Sequence, residues 1–134
     1  MKRYLLDTNI CIYIIKKRPV EVIQRLLKLK PSDVFISSIT LAELEYGVQK
    51  SGSPVKNRLA LAAFTAPLSI LPFDDVSASK YGEIRACLES KGNMIGPYDA
   101  LIAAHALACG LTLVTNNENE FRRVQKLKIE NWVV

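Results

Sequence analysis

The chain has 134 residues, 49% hydrophobic and 23% charged, with 18 Lys and Arg against 13 Asp and Glu for a net charge of +5. That length suits one domain spanning residues 1–134 with a sizeable core, and the composition excludes disorder. Apolar stretches such as Leu59 to Phe64 are too short to cross a bilayer, and the run from Lys2-Arg3 to Asp7 lacks the apolar length of a signal peptide, so no membrane association and a cytoplasmic location are expected.

Arg3 to Leu6 reads as a short buried strand, and Ile10, Cys11, Ile14 and Ile15 then recur at helical spacing up to Lys16-Lys17-Arg18-Pro19. Pro19 suits the first turn of a second helix, whose apolar positions Val22, Ile23, Leu26 and Leu27 run on to Lys30. Val34 to Ser37 is a second strand. Thr40 to Lys50 follows as a helix, Ser51-Gly52-Ser53 breaks it, and Pro54 opens another that ends at Pro67. Ser69 to Phe73 is a third strand. A long helix from Val76 to Ser90 places Ala78, Tyr81, Ile84 and Leu88 on one face and closes at Lys91-Gly92-Asn93.

The next helix opens at Gly96-Pro97. Its body from Ala100 to Cys109 is apolar nearly all round, as in a helix packed at the centre of a domain. Leu111 to Thr115 is a fourth strand, Asn117 to Val124 a short helix or turn, and Lys128 to Val133 a last, edge-like strand. Strands alternating with helices predict a three-layer α/β/α sandwich around a mostly parallel sheet. Three cysteines, Cys11, Cys87 and Cys109, with no close pair, read as buried free thiols, and a single histidine leaves too few ligands for structural zinc.

Four carboxylates follow apolar runs: Asp7, Glu43, Asp99 and Glu120. Each has a purely structural reading. Asp7 can cap the helix that begins at Thr8, Thr40-Leu41-Ala42-Glu43 matches a capping box, Asp99 sits in the first turn of a helix where the dipole favours negative charge, and Glu118 and Glu120 can simply be solvated. Separate caps do not require convergence, however. In a parallel sheet with helical crossovers every strand delivers its carboxyl end to one edge, so Asp7, Glu43 and Asp99 are expected there with Thr115-Asn116-Asn117.

Carboxylates gathered in that way repel one another unless cations neutralise them, and an all-oxygen set selects Mg²⁺ or Mn²⁺. Such a site lowers the pKa of water and holds a phosphodiester for in-line hydrolysis. The basic residues Lys16-Lys17-Arg18, Arg85, Arg122-Arg123, Lys126 and Lys128 could then attract a polyanion, or form solvated faces. Other chemistries fit poorly. His105, six residues after Asp99, faces elsewhere on its helix and reads as a packed or hydrogen-bonded residue, and no phosphate-loop or nucleophile motif is present.

Leu6-Asp7-Thr8-Asn9, Thr40-Leu41-Ala42-Glu43-Leu44, Ile95-Gly96-Pro97-Tyr98-Asp99 with Leu101-Ile102-Ala103, and Thr115-Asn116-Asn117 with Glu120-Phe121 together resemble the PIN-domain nucleases, above all the VapC-type ribonuclease toxins. The resemblance spans nearly the whole chain. It implies that Asp7, Glu43 and Asp99 are the family acids, with Asp7 and Asp99 the direct Mg²⁺ (or Mn²⁺) ligands and Thr8, Asn9 and Thr115 in support. Many relatives carry an aspartate at the fourth position, where this chain offers Asn117, Glu118 and Glu120, the last being the best match.

The resemblance also implies cleavage of RNA, such as tRNA, restraint by a VapB-like antitoxin, and a homodimer. A surplus of apolar residues on the helices over residues 19–30 and 40–66 leaves room for a partner helix. A nucleic-acid-binding module without catalysis, and a metal-dependent deoxyribonuclease or phosphoesterase, are the competing readings.

Overall fold

In the computed structural model, which describes residues 2–133, five parallel strands form one sheet in the order β3-β2-β1-β4-β5. The strands are β1 (Tyr4–Leu6), β2 (Val34–Ser37), β3 (Ser69–Leu71), β4 (Thr112–Val114) and β5 (Ile129–Glu130). Among the described residues seven α-helices connect them: α1 (Thr8–Lys16), α2 (Val20–Leu27), α3 (Ser38–Lys50), α4 (Pro54–Thr65), α5 (Asp75–Ser90), α6 (Pro97–Cys109) and α7 (Glu118–Phe121).

The core follows from the two-residue period of a strand covered on both faces. Leu5 and Leu113 join Ile84, Leu88, Ile102, Ala103 and Phe121 on one side. Tyr4, Leu6, Val34, Ile36 and Val114 join Ile10, Leu44, Val48, Leu61 and Trp132 on the other. β1 is therefore buried at all three positions, and truncating fully buried Leu5 to Ala would cost about 2–5 kcal/mol. α6 is the central helix, with Ala100, Ile102, Ala103, Ala104, His105 and Ala106 all buried.

The strand order places the site. The chain builds outward from β1 through β2 to β3, then crosses back to lay β4 against the other side of β1. The carboxyl ends of β1 and β4 thus flank a topological switch point, where parallel α/β sheets leave a crevice. Asp7 follows β1, Thr115 follows β4, and the Asp7 amide donates to the Val114 carbonyl at 3.0 Å.

Several expectations need correction. Thr40 is not a helix cap: α3 begins at Ser38, capped by Ser37, whose Oγ accepts the Ile39 amide at 3.0 Å, so the match of residues 40–43 to a capping box is accidental. On α5 the buried positions are Ser77, Ile84 and Leu88, while Ala78 is exposed, because Ser77 and not Ala78 lies in helical register (i, i+7, i+11) with Ile84 and Leu88 on the face turned to the core. β3, β4 and β5 are each shorter than predicted, covering Ser69–Leu71, Thr112–Val114 and Ile129–Glu130. Cys11 is buried as expected, but Cys87 and Cys109 are only partly so. No helix among the described residues is long and apolar enough to cross a membrane.

Candidate active site

Asp7 is both helix cap and site residue. Its Oδ1 accepts the Ile10 amide at 2.9 Å, which starts α1, and the side chain is 4% exposed. Burial pushes its carboxyl up to about 6, against the hydrogen bonds from the Thr115 hydroxyl and the Ile10 and Asn9 amides, and the neighbouring Glu43 charge adds to the rise. Thr115 is itself fixed, since its Oγ1 accepts the Asn117 amide at 2.9 Å.

Asp99 is the third residue of α6, half-buried, and its carboxyl is pushed up to about 7. Burial comes first, then the charge and hydrogen bond of Glu120, then the charges of Asp7 and Glu43. Glu120 moves the other way. The Gly96 amide donates to its Oε1 at 2.6 Å and Asn117 Nδ2 to its Oε2 at 2.6 Å, which hold it ionised below the ordinary range. Of this acid pair, Asp99 is thus the more readily protonated. Glu43 Oε1 accepts the Thr8 hydroxyl at 2.7 Å, and Thr8 also reaches buried Thr40 at 3.4 Å.

The arrangement brings Asp7, Glu43, Asp99 and Glu120 within electrostatic reach of one another, with Asn117, Thr8 and Thr115 hydrogen-bonded among them. Glu118 does not join them. It turns outward to Arg122 and Asn131. Among the described residues no three His, Cys, Asp or Glu side chains already form a metal-holding group, for Glu43 is drawn to Thr8 and Glu120 to Gly96 and Asn117. The donor chemistry nonetheless fits a hard divalent cation: every donor is oxygen, and burial together with the charges of neighbouring acids opposes the ionisation of Asp7 and Asp99, a penalty that a bound cation would relieve.

A PIN domain family profile matches residues 4–127. The chain belongs to the PIN-domain family, among its VapC ribonuclease toxins. It is 43% identical over 132 residues to the tRNA(fMet)-specific endonuclease VapC of Shigella flexneri, covering 98% of this chain and 99% of that one. It is 48% identical over 130 residues to Ribonuclease VapC2 of Rickettsia felis, covering 96% and 97%. Two solved structures share its fold. One is VapBC2 of Rickettsia felis bound to a DNA fragment from their promoter (TM-score 0.91, 47% identity, 96% and 98% covered), and the other is DNA-bound VapBC of Salmonella typhimurium (TM-score 0.92, 45% identity, 98% and 99% covered).

Around the acids of this PIN domain, a groove of about 380 Å³ between α1, α3 and α4 is lined by Ile12, Ile15, Lys16, Leu44 and Leu61 and runs up to Glu43. Of the basic candidates, Lys16 lines that groove, Arg123 donates to the Met94 carbonyl at 2.8 Å near the Gly96 loop, and Arg85 and Arg122 are held in ion pairs with Glu89 and Glu118. Gly96 was not singled out as a site residue from sequence, although its backbone φ of −56° is ordinary. It matters through its amide and through its missing side chain: a Cβ there would lie 3.4 Å from Glu120 Oε1 and 3.5 Å from Asp99 Oδ2.

Proposed function

We propose that the chain is a Mg²⁺- or Mn²⁺-dependent endoribonuclease of toxin type, with RNA such as tRNA as substrate. The observation that carries this reading is the set of coupled, unneutralised carboxylates at the switch point of a chain nearly half identical, end to end, to named VapC ribonucleases. Asp7 and Asp99 would hold the cation, with Glu120 and Asn117 completing its surroundings. A divalent ion there supplies positive charge to the scissile phosphodiester and acidifies water for in-line attack.

The remaining residues act by position. Thr8 fixes the Glu43 carboxyl by hydrogen bond so that it can orient the attacking water, Thr115 steadies Asp7, Asn9 contributes its amide to Asp7, and Gly96 holds Glu120 beside Asp99. Lys16, in the groove with Glu43, and Arg123, whose charge acts on Glu120, offer positive charge to the RNA backbone.

Inhibition by a VapB-like antitoxin is part of this proposal, and the two VapBC relatives, the apolar groove beside Glu43, and exposed Tyr46, Val55 and Leu59 on α3 and α4 support it. The working form would be a homodimer in the cytoplasm, where its RNA is. The test is incubation of protein freed of antitoxin with RNA or DNA, in Mg²⁺, Mn²⁺ or chelator. Cleavage of RNA alone, and only with metal, supports the proposal. Uncut RNA that is nonetheless bound would leave a non-catalytic binding module, and cut DNA a deoxyribonuclease.

A further inference from the structure

The body of α6 is apolar except at one place. His105 is fully buried among Ile102, Ala103, Ala104 and Ala106, with its ring edge-on to Phe73 at 5.4 Å. Nδ1 lies 2.7 Å from Ser37 Oγ, and Nε2 has no hydrogen-bond partner among the described residues. An apolar residue would remove the unpartnered Nε2 but strand the buried Ser37 hydroxyl instead, so what the imidazole adds at this position is the bond to Ser37.

The hydrogen count fixes the roles. Ser37 Oγ already accepts the Ile39 amide as the cap of α3. If its hydroxyl also donates to Nδ1, one atom, the Nε2–H, is left without a partner; if Nδ1–H donates instead, both the hydroxyl proton and Nε2 are stranded. The first arrangement is the better one. It requires a neutral ring, and burial does hold the His105 pKa below its ordinary value, against the pull of Asp74.

The bond joins the two elements that carry opposite sides of the candidate site. Ser37 ends β2 and caps α3, which bears Thr40 and Glu43. His105 sits two turns along α6 from Asp99. Ser38 Oγ, next in sequence, accepts the Phe73 amide at 3.0 Å, so the start of α3 is tied to the chain on two sides. We propose that His105 is a positioning residue for cleavage: by accepting the Ser37 hydroxyl it sets where α3 begins relative to α6, and so where Glu43 stands relative to Asp99. This inference rests on the nuclease reading above, but its geometry can be tested apart from activity.

The experiment combines kinetics, thermal melting and imidazole ¹⁵N NMR on the full chain, which has a single histidine and therefore an unambiguous signal. His105→Phe and His105→Leu fill the position without accepting a hydrogen bond, and His105→Asn restores an acceptor where Nδ1 stands. We expect the wild-type ring to be the Nε2–H tautomer. The Phe and Leu variants should melt near the wild-type temperature, one unpartnered group replacing another, while kcat falls roughly 10- to 100-fold at unchanged KM, and the Asn variant should recover most of kcat. An Nδ1–H tautomer, full kcat in the Phe or Leu variant, or an Asn variant as slow as they are would overturn the proposal. If neither apolar variant folds, the tautomer and the Asn variant decide it. Loss of RNA cleavage by the wild-type protein with the tautomer intact would instead count against the nuclease reading.

Discussion

Glu130 and Asp99 are both partly buried carboxylates, yet only Glu130 is surrounded by donors and cations of its own chain. Arg25 Nη2 lies 2.6 Å and Lys2 Nζ 3.0 Å from its oxygens, and the Trp132 indole donates at 3.0 Å. Burial alone would raise its pKa, but those hydrogen bonds and charges outweigh it and hold Glu130 below the ordinary range. The charges that act most strongly on Asp99 are those of Glu120, Asp7 and Glu43, and its carboxyl rises to about 7. Glu130 is neutralised from within the chain, whereas burial and neighbouring acids raise Asp99 and Asp7, the two residues proposed to hold a cation.

The largest test of that contrast is substitution of the unmatched acids. Asp7→Asn or Asp99→Asn should lower kcat/KM for RNA by roughly 100-fold or more, since each removes a ligand charge worth several kcal/mol to the transition state. Asn keeps the shape and caps helices as well as Asp, so circular dichroism should not change. Full turnover in either variant would break the comparison.

Stability should move in the opposite direction. The folded-state pKa of Asp7 lies above its value in the unfolded chain, so its ionisation opposes folding above pH 6, and the penalty fades as pH falls through about 6 toward 4. In chelator at pH 8, Asp7→Asn should stabilise the protein by up to about 3 kcal/mol, and the gain should vanish near pH 4. Saturating Mn²⁺ should raise the melting temperature of wild type at pH 8 and leave that of Asp7→Asn nearly unmoved. A variant less stable than wild type at pH 8 would show that the acid is already neutralised.

Smaller effects sharpen the picture. Gly96→Ala presses a methyl group toward Glu120 and Asp99 and should cost about 10-fold in kcat with little loss of stability, read by steady-state kinetics and melting. Glu130→Gln should leave cleavage unchanged and cost at most about 1 kcal/mol, less at high salt, because its cations are largely exposed.

How much of this was written in the sequence depends on how local each signal is. The strand-helix alternation, the cap at Asp7, and the buried character of α6 are local or periodic, and the structure matches them. The parallel order follows from connection rules, which is why Asp7 and Thr115 could be placed at one edge. The start of α3 was misread because Ser37, Ser38 and Thr40 all resemble caps, and only the bonds to Ile39, Phe73 and Thr8 distinguish them. The partnership of Glu120 with Gly96, 24 residues away, and that of His105 with Ser37, 68 away, depend on tertiary packing and leave no mark in spacing.

Titration of antitoxin-free protein with Mn²⁺, followed by the electron paramagnetic resonance of the free ion, bears most directly on the unmatched carboxylates. Wild type and Glu130→Gln should take up the ion alike, and Asp7→Asn and Asp99→Asn should lose at least about 10-fold in affinity. Equal uptake by the Asp99→Asn and wild-type proteins, or none by either, would contradict the account.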